Sequence, residues 1–146
     1  MIYSFEKSLG KITHQVSTGL GKKLVHKFAQ QNYHLNSSQW TVISYLSSHK
    51  EGIQKDIGEF IGVNKVMMKR ILDSLEKEGY VKRTPVKSDK RQNKIRLTSK
   101  GEKLYNTLAP LAEETLKEAY SGLSEQEINQ CLNTLNKIQQ TLSQKG

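Results

Sequence analysis

Apolar residues along this 146-residue chain recur at helical spacing in six stretches, and one further stretch alternates with period two. Phe5, Leu9, Ile12, Val16, Leu20, Leu24 and Phe28 form the first stripe, which predicts a helix from Phe5 to Gln31. Gly19 and Gly21 weaken its interior, so its order is expected to come from packing against a partner. Trp40, Ile43 and Leu46/Ser47 mark a second helix ending near His49, with Asn36 and Gln39 spaced as a capping box. Gly52-Ile53 reads as a short strand. Ile57 and Ile61 lie four apart, and Met68, Ile71, Leu72 and Leu75 follow as another stripe. Tyr80 to Val86 reads as a strand, 87–93 as a polar turn, and Lys94 to Thr98 as a strand with period two. Thr98 caps the next helix, whose stripe is Leu104, Leu108, Leu111, Thr115/Leu116 and Ala119. Pro110 is expected to kink it. Gly122 closes it. Ser124 and Glu127 then open a last helix with a heptad-like seam of Ile128, Cys131, Leu135, Ile138 and Leu142.

The stretch from Gln54 to Asp73 organises the rest. Gly58 is small enough for a second helix to cross closely, Gly62 suits a left-handed helix end, Val63 plugs the turn and Asn64 is a favoured N-cap. With the inward stripe assigned, Lys65, Val66, Met67, Lys69, Arg70 and Asp73 are left on the outer side of the second helix. Two packed helices with a charged surface would explain the spacing. Val and Met beside three cations point instead to a face that something covers. The two-stranded hairpin at 80–98 then makes a wing, and Ile95 and Leu97 must anchor it, because an isolated hairpin is marginal in water. The expected fold is mainly α: a winged helix-turn-helix of about six helices and a small β-hairpin. Residues 35–98 form the DNA-binding lobe. Residues 1–34 and 99–146 supply helices whose stripes lack a partner inside that lobe, and pairing across a two-fold axis would make a homodimer.

Charge sharpens this picture. Residues 64–100 hold twelve Lys/Arg and four Asp/Glu, so about a quarter of the chain carries +8 of its net +9. A basic field over a helix-turn-helix is the electrostatic footprint of a nucleic-acid binder. A membrane-surface helix is disfavoured, since eight of these twelve cations lie beyond Gly79, most of them in a segment of strand character. No apolar run is long enough to span a bilayer, the N-terminus lacks a signal core, and the single Cys131 fits a reducing compartment. A cytoplasmic location is expected. On the second motif helix, Lys65, Lys69 and Arg70 are expected to contact phosphates and bases. Val66 and Met67 would either touch thymine methyl groups or pack against the body of the domain.

The chain resembles the MarR family of bacterial winged-helix transcription regulators. The resemblance rests on LNSSQWTVISYL at 35–46, on 53–79, on SLEKEGYVKR at 74–83, and on Asp89-Lys90-Arg91 followed by IRLTSKG at 95–101. The wing's Asp-x-Arg with Leu-Thr-x-x-Gly is its most specific part. What it implies is a dimer on near-palindromic double-stranded DNA, acting as a repressor, with release by a small aromatic or drug-like effector held between the lobes. It further implies that Arg91 enters the minor groove with its guanidinium held by Asp89, and that Lys90 and Lys94 flank phosphates. Val66, Met67 and Met68 depart from the Ser/Thr-rich start usual for the family's recognition helix, and Gln54 is a weaker cap than the usual Ser or Thr, so the operator sequence does not carry over.

Other chemistry is sparse. No phosphate loop, nucleophile elbow or compact carboxylate pair occurs, so no catalytic residues and no cofactor are assigned, and enzymatic function is not expected. His14, His26, His34 and His49 do not have zinc-ligand spacing, and no metal ligands are assigned, although a metal-responsive regulator stays an alternative. Cys131 sits on the last seam, where a small core role is expected. His14, Tyr33, Trp40 and Tyr45 are candidates for an aromatic effector pocket, with plain core packing as the competing reading. A constitutive architectural DNA binder without effector is the other alternative. A protein-interaction module is disfavoured by the basic field.

Overall fold

The computed structural model describes residues 1–144. The expected first helix is divided. A 3-10 turn covers Phe5–Lys7, Ser8 is extended, and α1 runs Leu9–Gln30 with the Ser8 side chain accepting from Lys11 N–H. Serine captures a first-turn N–H and so restarts the helix four residues later than the apolar spacing alone suggests. Next come α2 (Ser37–His49), β1 (Glu51–Ile53), α3 (Gln54–Ile61) and α4 (Lys65–Lys77). They are followed by β2 (Val81–Val86), β3 (Asp89–Leu97), α5 (Ser99–Ala119) and α6 (Glu125–Ser143).

The caps read from sequence form. Asn36 and Ser124 each complete a capping box, and the side chains of Asn64 and Thr98 accept from Met67 and Gly101 N–H. Gly62, Gly79 and Gly122 all take positive φ, ending α3 and terminating the turns after α4 and α5. Gln54 is not a cap: Ile53 holds that place without a side-chain hydrogen bond, and Gln54 is the first helical residue. α5 continues as one helix through Pro110.

The sheet has the antiparallel order β1-β3-β2, with Glu51 opposite Arg96 and Val81 opposite Leu97. Ile95, in the central strand, is fully buried and anchors the wing to the helices. The core gathers Phe28 of α1, Ile43 and Leu46 of α2, Ile57 of α3, Met68 and Leu72 of α4, and Leu108 of α5. Trp40 lies between the edge of Phe28, 5.1 Å away, and the face of Tyr105, 5.5 Å away. Val42, absent from the predicted stripe, is also core.

Two stripes do not belong to this core. Leu9, Ile12 and Val16 on the N-terminal half of α1 are exposed, and burial begins only around Leu20. No residue of α6 is buried, and α6 has no extensive packing against any other described element. Its seam is half-exposed at Ile128, Leu135 and Ile138, and open at Cys131 and Leu142, so Cys131 is not a core residue within the protomer. No described helix is long and apolar enough to cross a membrane.

Candidate nucleic-acid interface

The helix α4 separates its two faces as the stripe requires. Met68, Ile71, Leu72 and Leu75 are buried, while Lys65, Val66, Met67, Lys69 and Arg70 are all exposed. Val66 is 64 % exposed and Met67 43 %, so neither packs into the body of the domain. Asn64 fixes where this face begins, because its carbonyl side chain takes Met67 N–H at 2.8 Å. Gly58 faces α4 where the two helices cross, but the crossing does not require a glycine: a Cβ there would meet Met68 Cγ and the Val63 carbonyl oxygen at 3.5 Å, ordinary contact. The Asp73 carboxylate, which the sequence places on the outer side, turns toward the wing.

The wing differs from its expected outline. The polar stretch 87–93 is not one turn: Lys87 and Ser88 alone make it, and β3 begins at Asp89. Pro85 pairs with Asn93 but Val86 pairs with Asp89, so Lys90, Arg91 and Gln92 have no opposite residue in that register. They form a bulge at the tip, a device that re-aims side chains out of a ladder. Pro85 suits this place, since β2 is an edge strand and proline has no N–H to give. Asp89 Oδ1 accepts from both the backbone N–H of Arg91 (3.1 Å) and its Nε (3.3 Å). The guanidinium is thereby oriented, yet the Arg91 side chain stays 92 % exposed. Lys94 lies back from the tip, with Nζ 3.5 Å from Glu51 on β1; Arg96 reaches the same carboxylate at 3.7 Å.

Between α4 and the wing runs a groove of about 680 Å³ whose lining includes Lys65, Lys69, Arg83 and Arg91, with Val63 and Met68 as apolar lining. Arg83 of β2 closes its inner side. Arg83 Nη2 is 2.6 Å from Asp73 Oδ1 and 2.8 Å from Glu76 Oε1, and its backbone N–H donates to Glu76 Oε2 at 3.3 Å. Asp73 Oδ2 also receives Lys69 Nζ at 2.9 Å. Hydrogen bonds from Lys69 and then Arg83 hold the Asp73 carboxyl below its ordinary range, and Arg83 does the same for Glu76. The two carboxylates, Glu76 foremost, raise Arg83 in turn. Sequence reading counted Arg83 only as one more cation. Lys65, Arg70 and Lys90 enter no ion pair among the described residues.

Among the described residues no ring contact joins Tyr33, Trp40 and Tyr45 to one another. Trp40 has both neighbours inside the core, whereas Tyr45 stacks on His49 at 4.0 Å and meets Phe60. Tyr33 packs partly buried against the core and His14 is exposed on α1. Among the described residues no three His, Cys, Asp or Glu side chains cluster as metal ligands.

Comparison with known proteins supports this geometry. The model of the MarR family matches residues 35–92, from the start of the second helix to the wing bulge. A MarR/EmrR family transcriptional regulator from Acinetobacter is 24 % identical at TM-score 0.84, covering 98 % of this chain and 100 % of that one. MepR of S. aureus, solved as a complex with DNA, is 25 % identical at TM-score 0.78, covering 96 % and 100 %. PcaV from Streptomyces coelicolor, solved with its natural ligand, is 15 % identical at TM-score 0.78, covering 98 % and 99 %. With its six helices, bulged wing and outward basic face on α4, the chain has the winged helix-turn-helix fold of these solved regulators, and its residues 35–92 match the MarR family of transcriptional regulators.

Proposed function

We propose that the protein is a repressor that binds a near-palindromic operator as a homodimer. The observation that carries this reading is the exposed face of α4, where Val66 and Met67 stand uncovered between Lys65, Lys69 and Arg70. Apolar side chains left in a basic field fit thymine methyl groups flanked by phosphates and guanine edges. Arg70, without an ion pair among the described residues, is the guanine reader; Lys65 and Lys69 hold phosphates and neighbouring base edges. At the wing, Asp89 orients Arg91 for the minor groove and Lys90 flanks the backbone, while Lys94 contributes from further back. MepR, similar in fold over nearly the whole chain, was solved on DNA.

Dimer formation has its own support. The exposed apolar residues Leu9, Ile12 and Val16 of α1 and Leu132 and Leu142 of α6 need cover that the protomer does not supply. The dimerisation layer is thus residues 1–34 with 99–146, and residues 35–98 form the reading lobe. Two recognition helices on such a dimer lie about 34 Å apart, one turn of DNA. Repression follows from occlusion of polymerase.

Release by a small aromatic effector is the finer part of this proposal. Its support is the likeness to PcaV, solved with its natural ligand. His14, Tyr33, Trp40 and Tyr45 are the residues proposed to line its site.

Footprinting with Arg70→Ala tests the core of the reading. Loss of sequence preference is expected; a uniform weakening on every duplex makes Arg70 a phosphate contact instead. Affinity for any duplex must also fall steeply from about 50 to 200 mM salt. Salt-insensitive binding sinks the proposal, and equal affinity for all sequences leaves an architectural DNA binder.

A further inference from the structure

Arg83 stands outside the DNA contacts assigned above, yet it is the most embedded cation beside the groove. Its side chain is 19 % exposed, against 69 % for Lys69 and 92 % for Arg91. It belongs to the wing, opposite Ile95 in the sheet, but its partners are on the recognition helix. Asp73 and Glu76 lie three apart on α4 and so share one face. One guanidinium nitrogen reaches both. The far oxygen of Asp73 holds Lys69, so a chain of charges runs from a DNA-facing lysine through α4 into β2.

We propose that Arg83 is a positioning residue for DNA recognition: it locks the wing to the recognition helix through Asp73 and Glu76, and so sets the separation between the Arg91 bulge and the Lys65–Arg70 face. The proposal rests on the DNA-contact roles given to those two ends. A hairpin carries little rigidity of its own. Ile95 holds the base of the wing by apolar contact, which is not directional, whereas two charge-assisted hydrogen bonds to carboxylates one helical turn apart fix an orientation. Arg83 also neutralises two carboxylates that would otherwise face phosphate. Lysine at this place keeps the charge but is a flexible point charge, without the planar guanidinium that fixes the direction of Nη2 toward both carboxylates.

The test uses the full-length protein with two probes: the duplex it enriches from a random pool, and the unselected pool itself. For Arg83→Lys, affinity for the enriched duplex is expected to fall about tenfold or more, with the pool affinity and its salt slope unchanged. The double variant Asp73→Asn with Glu76→Gln removes the clamp from its other side and makes the face more positive. It should bind the pool more tightly, yet its ratio of enriched to pool affinity should also fall about tenfold. Pure electrostatics predicts tighter binding to both probes at a constant ratio. A constant ratio in this double variant overturns the proposal, even where Arg83→Lys proves too unstable to assay. A drop of about one in the Arg83→Lys salt slope makes Arg83 a phosphate contact and overturns it too. Arg91→Ala and Arg70→Ala are run alongside; if neither alters binding, the contact assignments fail, separately from the clamp.

Discussion

Gly101 is held by a single atom. A Cβ there would lie 2.1 Å from the Tyr80 carbonyl oxygen, inside any contact distance. That oxygen accepts the Thr98 N–H, and the Thr98 hydroxyl donates to the Gly79 carbonyl while accepting Gly101 N–H. The start of α5 is thus pinned to the end of α4. Gly101→Ala is expected to cost about 2 kcal/mol or more by urea unfolding, as forced overpacking does. Gly58→Ala, whose Cβ meets only ordinary contacts, should stay within about 1 kcal/mol of the parent. The sequence shows both positions only as glycines. What separates them is a backbone carbonyl 21 residues away, and no local spacing encodes that. Arg83 was hidden for the same reason: its cationic character is plain in the sequence, but its carboxylate partners arrive through tertiary packing. Those partners predict a pH response. Asp73 and Glu76 are depressed in the folded protein, so their contribution to stability is complete above the ordinary carboxylate range and disappears as pH falls through their lower folded-state values. Acid titration followed by circular dichroism should show a shallower loss of stability for Asp73→Asn with Glu76→Gln than for the parent.

At the scale of elements, legibility followed locality. Every cap assigned at Asn36, Asn64, Thr98 and Ser124 forms, because a cap and its N–H lie within three residues. The inward stripe of α4 was equally plain, since helical spacing alone determines it. The wing was not. Its residues 87–93 are polar and read as a turn, but strand pairing depends on a partner strand, and β2 recruits Asp89 back into the ladder while ejecting three residues as the bulge. The local device with the clearest functional weight is Asn64. Asn64→Ala removes the acceptor for Met67 N–H and should lower stability by about 1 kcal/mol. Fraying in that first turn blurs Lys65, Val66 and Met67 together, so hydrogen exchange at Met67 should accelerate while the middle of α4 stays protected.

The molecule as a whole is two unequal parts. The lobe from α2 to β3, with the end of α1 and the first half of α5, carries nearly all of the core. The remaining helical surface, above all α6, is amphipathic and uncovered. The sequence disclosed this as stripes without partners, though the end of the α1 stripe, at Leu24 and Phe28, does pack into the lobe. On the proposed dimer, Val16→Glu combined with Leu135→Glu should yield monomers by sedimentation, with the winged-helix lobe still folded by circular dichroism. The open α6 also decides how damage is inherited. A copy with Arg91→Ala keeps its α1 and α6 surfaces, so it enters mixed dimers and leaves each with one intact wing contact. Co-expressed with the parent, it should be dominant in a reporter assay. The Val16→Glu, Leu135→Glu copy finds no partner to spoil and should be recessive.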